Sequence, residues 1–322
     1  MHNMVRQNIF SIRGRHLLIS FSLFVGLISC TPSTSESTSE SGKPKVVSTN
    51  TILANWTEDI GADEIEHTSI LQPGADPHVY EPTPNDTRTF EQANLILYNG
   101  YNLEPGLGRL MESSAGKAKK VAIGETIKPL QMDEAGARVP DPHVWGDVEN
   151  AIVMVNRIRD ELIELSPEDK AVFTQNAANL TTELTQLDQW ITQQIQTIPA
   201  NQRQLVTTHD AFQYYARAYG LTVAGTLIGI STEEQPSAQT VKQLVEAIKA
   251  TGTPAIFGET TINPTLIETV ANSAGVKLAP QKLYSDSIGA PGSNADSYSK
   301  MMVANTTAIT ENLGGNVSPF NP

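Results

Sequence analysis

Cysteine is almost absent from this chain of 322 residues, which contains only Cys30. A single cysteine excludes an internal disulfide, so the position of Cys30 is more informative than its redox chemistry. Basic residues are also scarce, since 22 Lys and Arg stand against 35 Asp and Glu, for a formal net charge of −13. A surface of this sign repels nucleic acids and anionic lipids and attracts cations. We therefore expect no nucleic-acid partner.

Long hydrophobic runs are missing as well. The apolar run at residues 17–28 (LLISFSLFVGLI) is too short to cross a bilayer comfortably; it follows three arginines and ends just before Cys30. This order is typical of a secretory signal segment, and residues 27–30 (LISC) resemble the lipobox of bacterial lipoproteins, where the chain is cleaved immediately before a lipidated cysteine. A plain signal peptide, or a short anchor helix that ends in cysteine, is the alternative. We assign residues 1–30 to a lipoprotein signal peptide and expect the protein to be anchored through Cys30 at the extracytoplasmic (periplasmic) face of the bacterial plasma membrane.

The rest of the chain divides into a tether and two similar halves. Residues 31–45 are rich in Ser, Thr and Glu without an apolar anchor, which predicts a flexible tether. Strand and helix patterns then alternate on both sides of residues 166–199. This alternation predicts an α/β protein with two lobes, each a mostly parallel sheet covered by helices. We expect an N-terminal lobe at residues 46–165 and a C-terminal lobe at residues 200–322.

Residues 166–199 carry the pattern of one long helix. Ser166 and Pro167 provide a capping hydroxyl and a proline at the first helical position. Apolar residues then recur at helical spacing, and no glycine or proline follows until Pro199. Roughly 32 residues span about 48 Å at 1.5 Å per residue, longer than a small domain is wide. An ordinary surface helix is one interpretation; we favour a rigid helix that joins the two lobes.

Three histidines occupy positions at which open α/β sheets bind ligands. His78, His143 and His209 each lie in a predicted loop or just past the carboxyl end of a predicted strand. A proline precedes His78 and His143 and restricts the local backbone. His67 instead opens a predicted strand, where a surface or packed histidine is the better interpretation. Because two of the three histidines precede the long helix and one follows it, the pattern indicates a metal site closed between the lobes.

A fourth metal ligand is expected from the C-terminal lobe. Asp286 is our choice, and Glu259, directly after a predicted strand, is the competing candidate. Three imidazoles and a carboxylate suit zinc, manganese or iron and suit magnesium or calcium badly. Four protein ligands leave no coordination position for a substrate, which argues against catalysis. The alternative function is an exported metal-dependent hydrolase with three histidine ligands and Glu259 as base.

Six short segments resemble one known family. They are residues 77–84 (PHVYEPTP), 96–100 (ILYNG), 102–104 (NLE), 141–145 (DPHVW), 208–215 (THDAFQYY) and 284–287 (YSDS). In this order they resemble the cluster A-I metal-binding solute receptors, the zinc and manganese substrate-binding lipoproteins of bacterial ABC importers. The resemblance covers residues 45–315.

The resemblance implies a two-lobed receptor with a long linking helix and no enzymatic activity. It implies one divalent transition-metal ion as cargo, bound by His78, His143, His209 and Asp286. It also implies an ABC permease with a cytoplasmic ATPase as partner. We expect the receptor itself to be a monomer.

Manganese and zinc both remain candidates for the cargo. Within this family a histidine at the position of His209 occurs in zinc receptors and in some manganese receptors. Dedicated zinc receptors often carry a histidine-rich loop and commonly lack the aspartate that Asp286 provides, whereas residues 125–142, which we predict as a loop, contain no histidine. Intrinsic affinity at a site with three nitrogens and one oxygen favours zinc over manganese. We expect manganese as the physiological cargo, with zinc a close second that binds as tightly or more tightly in vitro.

Four aspartates near the ligands have predicted supporting roles. Asp76, Asp141 and Asp210 neighbour the three histidines and are candidates to accept their ring N–H bonds, a role that backbone carbonyls fill as often. Asp147 is expected instead to cap a helix predicted at about residues 148–165.

Overall fold

The computed structural model describes residues 42–134 and 136–322. The predicted signal segment, Cys30 and the first part of the tether lie outside this range. Strand β1 (Lys45–Ser48) begins at the last residue that we assigned to the tether. Among the residues that the structure describes, no helix combines the length and the apolar character needed to cross a membrane.

Four parallel strands form the sheet of the N-terminal half, in the order β2-β1-β3-β4. The strands are β1 (Lys45–Ser48), β2 (Glu66–Ser69), β3 (Leu95–Tyr98) and β4 (Lys119–Ala122). The helices between them are α1 (Thr51–Gly61), α2 (Pro84–Gln92) and α3 (Pro105–Ser113). The inner strands β1 and β3 are almost wholly buried, because a parallel sheet covered by helices has no solvent face.

An antiparallel hairpin of β5 (Gln131–Glu134) and β6 (Ala137–Pro140) follows this sheet. We predicted residues 125–142 as a loop, and that prediction was wrong for the hairpin. These short strands pair with each other in a separate sheet and lack the alternating apolar residues that identify a half-buried strand. The available signal was Gly136, whose φ of +84° favours glycine at the turn.

Two long helices follow one another in the chain between the sheets of the two halves. Helix α4 (Val148–Leu165) has the predicted bounds, and the prediction that Asp147 caps it is confirmed, because its carboxylate accepts from Glu149 N at 3.0 Å. Helix α5 (Lys170–Gln196) is the linking helix and contains 27 residues, or about 40 Å. It is shorter than the predicted range, since a 3₁₀ turn at Pro167–Asp169 replaces its first turn.

The C-terminal half repeats the alternation with shorter strands. Its strands are β7 (Gln204–Thr207), β8 (Thr222–Thr226), β9 (Ala255–Ile256) and β10 (Lys277–Leu278), in two parallel pairs. Its helices are α6 (Gln213–Tyr219), α7 (Ala238–Thr251), α8 (Thr265–Ala274) and α9 (Tyr298–Asn312). A hydrogen bond of 2.9 Å from Phe257 N to Val206 O places β9 beside β7. The predicted fold class, two mostly parallel sheets covered by helices and joined by a long helix, is confirmed. The two-residue strand β10 escaped prediction because it is too short to show a period.

The largest hydrophobic cluster belongs to both halves. Phe173, Leu184, Leu187 and Ile191 of α5 are fully buried in it, together with residues of α1, α4 and α9. Each such side chain contributes roughly 1.5–3 kcal/mol when it leaves water. Each half also has a smaller cluster of its own. The shared core holds the halves together, so that loops following strands of both sheets meet in one place.

Candidate metal centre

Three imidazoles and one carboxylate from four separate loops converge between the two halves. One candidate ligand atom from each of His78, His143, His209 and Asp286 lies within 4.8 Å of the other three. Nε2 of His78 is 3.3 Å from Nε2 of His143. Both oxygens of Asp286 face the cluster, with Oδ1 3.4 Å from His143 Nε2 and Oδ2 3.2 Å from His209 Nε2. The same ring nitrogen of each histidine therefore points at the others.

All four side chains are removed from solvent. His143 and His209 are fully buried, Asp286 is 1% exposed and His78 is 4% exposed. Nε2 of His209 and Oδ1 of Asp286 make no hydrogen bond to any residue that the structure describes. Their ion-pair partners are other members of the cluster. Nitrogen and oxygen atoms that face one point in this way fit a site for a cation.

His78 is placed by a turn in the loop between β2 and α2. Asp76 Oδ1 accepts a hydrogen bond of 2.9 Å from His78 N, two residues further along the chain. This turn, in which an aspartate side chain replaces a backbone acceptor, is a local property of the sequence. Pro77 between them has no N–H and a fixed φ, which limits the alternatives.

His143 is placed by the same kind of turn and by three further contacts. Asp141 Oδ1 accepts both from His143 N at 3.0 Å and from ring Nδ1 at 2.8 Å. Asn99, at the end of β3, donates to Pro142 O at 2.9 Å, and the Tyr214 hydroxyl of α6 donates to Asp141 O at 3.1 Å. Both halves therefore hold the loop that carries this ring.

His209 follows β7 and is held by Glu259, which follows β9. Glu259 Oε1 accepts from His209 N at 2.8 Å, and its Oε2 pairs with ring Nδ1. The carboxyl ends of neighbouring parallel strands meet at one edge of a sheet, which brings these two side chains together.

Asp286 lies in the long loop after β10. Ser285 Oγ donates to Asp286 Oδ2 at 3.2 Å, and Trp145 Nε1 donates to Ser285 O at 3.0 Å. Because Trp145 follows the second histidine loop directly, this bond joins the loops of His143 and Asp286 across the halves.

The three aspartates predicted to support the histidine rings differ in their hydrogen-bond partners. The prediction for Asp141 is confirmed, since it accepts the ring N–H of its histidine. The predictions for Asp76 and Asp210 were wrong, because Asp76 accepts from a backbone N–H and from Thr232, and Asp210 from Gln213.

Glu259 was also a candidate fourth ligand, and this alternative was wrong. Its two oxygens bind the backbone and the outer ring nitrogen of His209, and it is outside the group of converging ligand atoms. It orients the imidazole instead, a role typical of the groups behind metal-binding histidines. Both of its oxygens contact His209, which places the carboxylate behind the ring.

His67 lies away from this group, as predicted. Its Nδ1 contacts Glu58 Oε1 at 3.1 Å and its Nε2 contacts Ser48 Oγ at 3.0 Å, on the N-terminal sheet.

Carboxylates control the protonation of two of the clustered rings. Burial lowers the pKa of His143, but Asp141 and Asp286 more than offset this and raise the pKa to about 9. Burial likewise opposes protonation of His209, but Glu259 and Asp286 hold its pKa well above 6.5. In the metal-free protein at neutral pH both rings are therefore protonated.

The other two side chains, His78 and Asp286, carry no proton that a cation would have to displace. Burial lowers the pKa of His78 to about 3, so this ring is neutral. Burial favours the neutral acid for Asp286, but the nearby His209 and His143 hold its pKa well below 3.8. A divalent ion at this point would displace the protons of the charged rings and keep the carboxylate ionised.

A cavity of about 680 Å³ opens beside His78 and is lined by both halves. Glu125 comes from the N-terminal half, and Glu233 and Glu234 come from the C-terminal half. Three carboxylates at the approach to the site raise the local concentration of cations.

One protein family matches almost the whole described chain. The family model is ZnuA, described as zinc-uptake complex component A, periplasmic, and it matches residues 46–312. The chain belongs to this family. The resemblance seen in the motifs is thereby confirmed.

Two curated relatives are similar over nearly their full length. The metal ABC transporter substrate-binding lipoprotein FimA of Streptococcus parasanguinis is 36% identical over 304 residues, which cover 92% of this chain and 97% of FimA. The manganese ABC transporter substrate-binding lipoprotein PsaA of Streptococcus pneumoniae has the same identity and coverage. The ZnuA family to which this chain belongs consists of substrate-binding receptors of ABC importers and not of enzymes.

A solved structure supports the same assignment. The periplasmic zinc-binding protein TroA of Treponema pallidum superposes with a TM-score of 0.80 and 34% identity, covering 84% of this chain and 99% of TroA. The alternative function, a metal-dependent hydrolase, is therefore not supported by the family. Its proposed base, Glu259, contacts His209 instead.

Proposed function

We propose that this protein is the extracytoplasmic receptor of an ABC importer and captures one divalent transition-metal ion. The ligands are His78, His143, His209 and Asp286, and the permease with its cytoplasmic ATPase receives the ion. The observation that carries this proposal is the convergence of four buried side chains within 4.8 Å, contributed by both halves. The names of FimA and PsaA support the transport role.

The proposed cargo is manganese, with zinc as a close alternative. Because both oxygens of Asp286 face the three imidazoles, the protein offers five donor atoms. Zinc sites in proteins are almost always four-coordinate, whereas carboxylate oxygens suit manganese. PsaA, at 36% identity, is named for manganese and TroA, at 34%, for zinc, so the relatives support both ions. Zinc binds as tightly or more tightly in vitro because intrinsic affinity rises towards zinc in this series.

The proposal extends to the whole chain. Residues 1–30 act as a lipoprotein signal peptide, lipidated Cys30 anchors the protein, and residues 31–45 form the tether. The lobes are residues 46–165 and 200–322, joined by the helical region 166–199, and the receptor is a monomer. FimA and PsaA are named as lipoproteins and cover 92% of this chain, which supports the anchor.

Calorimetry on the protein without residues 1–30 tests the ligand assignment. We expect the unmodified protein to bind one Mn²⁺ or Zn²⁺, and His143→Ala and His209→Ala each to abolish measurable binding. His67→Ala is the matched control, because this histidine contacts Glu58 and Ser48 outside the cluster. Circular dichroism checks that all variants fold. Tight one-to-one binding by both ligand variants would show that the site is wrongly assigned.

Metal uptake in a strain without this receptor tests the cargo. We expect manganese accumulation to fall and to recover when the unmodified protein is restored, with zinc accumulation unchanged. A loss confined to zinc would reverse the assignment of the cargo without affecting the ligand set.

Fractionation of cells tests the anchor. Cys30→Ser should move the protein from the membrane fraction to the soluble fraction, because lipidation requires the thiol. Ser33→Ala changes the same segment and should remain with the membrane. A protein with intact Cys30 that carries no covalently bound lipid in mass spectrometry would rule out the lipid anchor.

A further inference from the structure

We propose that Asp76 and Thr232 form a latch between the two halves that slows release of the bound metal; this inference rests on the proposed function. Thr232 Oγ1 donates a hydrogen bond of 2.6 Å to Asp76 Oδ2. Asp76 belongs to the loop of His78, and Thr232 lies in the segment that follows β8. The bond therefore crosses from one half to the other.

Hydrogen bonds connect the latch to the backbone of the loops that carry His78 and His209. The second oxygen of Asp76 accepts from His78 N at 2.9 Å. On the other side, the segment before Thr232 binds both neighbours of His209. Ile228 N donates to Thr208 O at 2.9 Å, and Asp210 N donates to Gly229 O at 3.1 Å. A path of hydrogen bonds thus connects the loops of the first and third histidines without passing through the ion.

A second contact between the halves has a different character. Ser287 Oγ accepts from Gly74 N at 2.7 Å and lies 3.2 Å from Thr51 Oγ1. Ser287 and Thr51 are 1% and 3% exposed, so the contact between these two hydroxyls lies inside the protein. Asp76 and Thr232 are only half-buried.

Cavities adjoin the latch on two sides. Asp76 and Thr232 line one of about 380 Å³, and Ser231, next to Thr232, lines the larger cavity beside His78. A bond in this position can break when the halves separate while the packing around Ser287 persists. The latch is therefore the contact suited to open and close with the site.

The expected effect is on dissociation. An open and a closed form exchange, and a contact made only in the closed form lowers the population from which the ion escapes. A hydroxyl that donates to a carboxylate forms one of the stronger hydrogen bonds. Its loss should raise the metal dissociation rate about tenfold or more, since bonds to charged groups contribute about this factor to an equilibrium. The association rate should stay unchanged because the four ligands are intact.

Stopped-flow measurement of Mn²⁺ binding and of its release to a chelator tests the latch. Thr232→Val removes the hydroxyl and keeps the shape, and Thr232→Ser restores the hydroxyl. Ser231→Ala is the matched control, since among the described residues Ser231 Oγ accepts only from Glu233 N, within its own loop, at 3.3 Å. We expect fast release from Thr232→Val, near-normal release from the other two, and equal melting temperatures for all metal-free proteins.

The outcomes separate the latch from the receptor function. Release from Thr232→Val at the unmodified rate overturns the latch while metal binding stands. A slower association rate with unchanged release also overturns it, because the residue would then act on capture. Failure of the unmodified protein to bind Mn²⁺ or Zn²⁺ overturns the proposed function itself.

Discussion

At the scale of single residues, one short sequence builds two of the four ligand positions. Asp-Pro-His occurs at His78 and at His143, and each aspartate accepts from the backbone N–H of its histidine, at 2.9 and 3.0 Å. The proline has no N–H to compete for the carboxylate and restricts the turn. Only Asp141 also reaches the imidazole ring. The turn is thus a local consequence of three residues, whereas the partner of the ring depends on the packing around it.

The protonated rings predict that metal binding releases protons. The pKa of His143 is raised to about 9 and that of His209 lies well above 6.5, so both rings carry a proton at pH 7.5. Binding through Nε2 requires neutral rings and should release close to two protons. Affinity should then fall about a hundredfold for each pH unit below neutrality, tenfold for each proton. Calorimetry in two buffers of different ionisation enthalpy measures the number released.

Control experiments follow from the same geometry. His67→Ala should release as many protons as the unmodified protein, because His67 lies outside the cluster. Binding without proton release at pH 7.5 would mean that the clustered rings are neutral before the ion arrives.

At the scale of secondary-structure elements, a buried carboxylate joins the loops behind the site. Glu104 precedes α3, and its Oε1 accepts from Thr49 Oγ1 and Asn50 Nδ2, both at 2.8 Å, and from Asn99 N at 3.4 Å. Asn99 in turn supports Pro142 in the loop of the second histidine. The carboxylate therefore connects the ends of β1 and β3 with a loop of the metal site.

We expect Glu104→Ala to lower the free energy of unfolding by about 2–4 kcal/mol, because it leaves buried donors without an acceptor. Glu104→Gln retains one oxygen and should cost less than half as much. Glu112→Ala, at an exposed position of α3, should change stability little. Urea denaturation measures the free energy of unfolding of all three variants. A loss for Glu104→Ala no larger than that for Glu112→Ala would show that the three bonds contribute nothing net.

At the scale of the whole molecule, the site joins two halves that already share a core. The fully buried side chains of α5 belong to one hydrophobic cluster with α1, α4 and α9. The metal therefore adds to an existing association of the halves and is not its cause. We expect the metal-free protein to unfold cooperatively and the metal to raise its melting temperature.

The size of this stabilisation follows from mass action. At free metal a thousand times the dissociation constant, the folded state gains about 4 kcal/mol, or about 7 °C for a domain of this size. Asp286→Asn removes the carboxylate, and this variant should show little of the shift. Calorimetric scans with metal and with a chelator compare the two proteins. Equal shifts for both proteins would mean that the ion binds elsewhere.

Some elements of the fold are determined by residues that are close together in the sequence. The bounds of α4 and its Asp147 cap were predictable because capping and helical spacing depend on neighbouring residues. The hairpin at residues 131–140 was not predictable, since its strands lack an alternating apolar pattern. The start of α5 was predicted too early, because Ser166 Oγ bonds to the Asp169 side chain and a 3₁₀ turn forms first.

The sequence by itself determined the kind of site: three histidines and an aspartate after strand ends, two of the histidines set in Asp-Pro-His turns, with a long helix between the halves. These features depend on residue type and local spacing. Only the tertiary structure decided what stands behind each ring, because such partners come from distant strands. Glu259 and His209, 50 residues apart, meet since their strands lie side by side. Thr232 and Asp76 are 156 residues apart and meet because the two halves pack against each other. Local sequence does not set that contact.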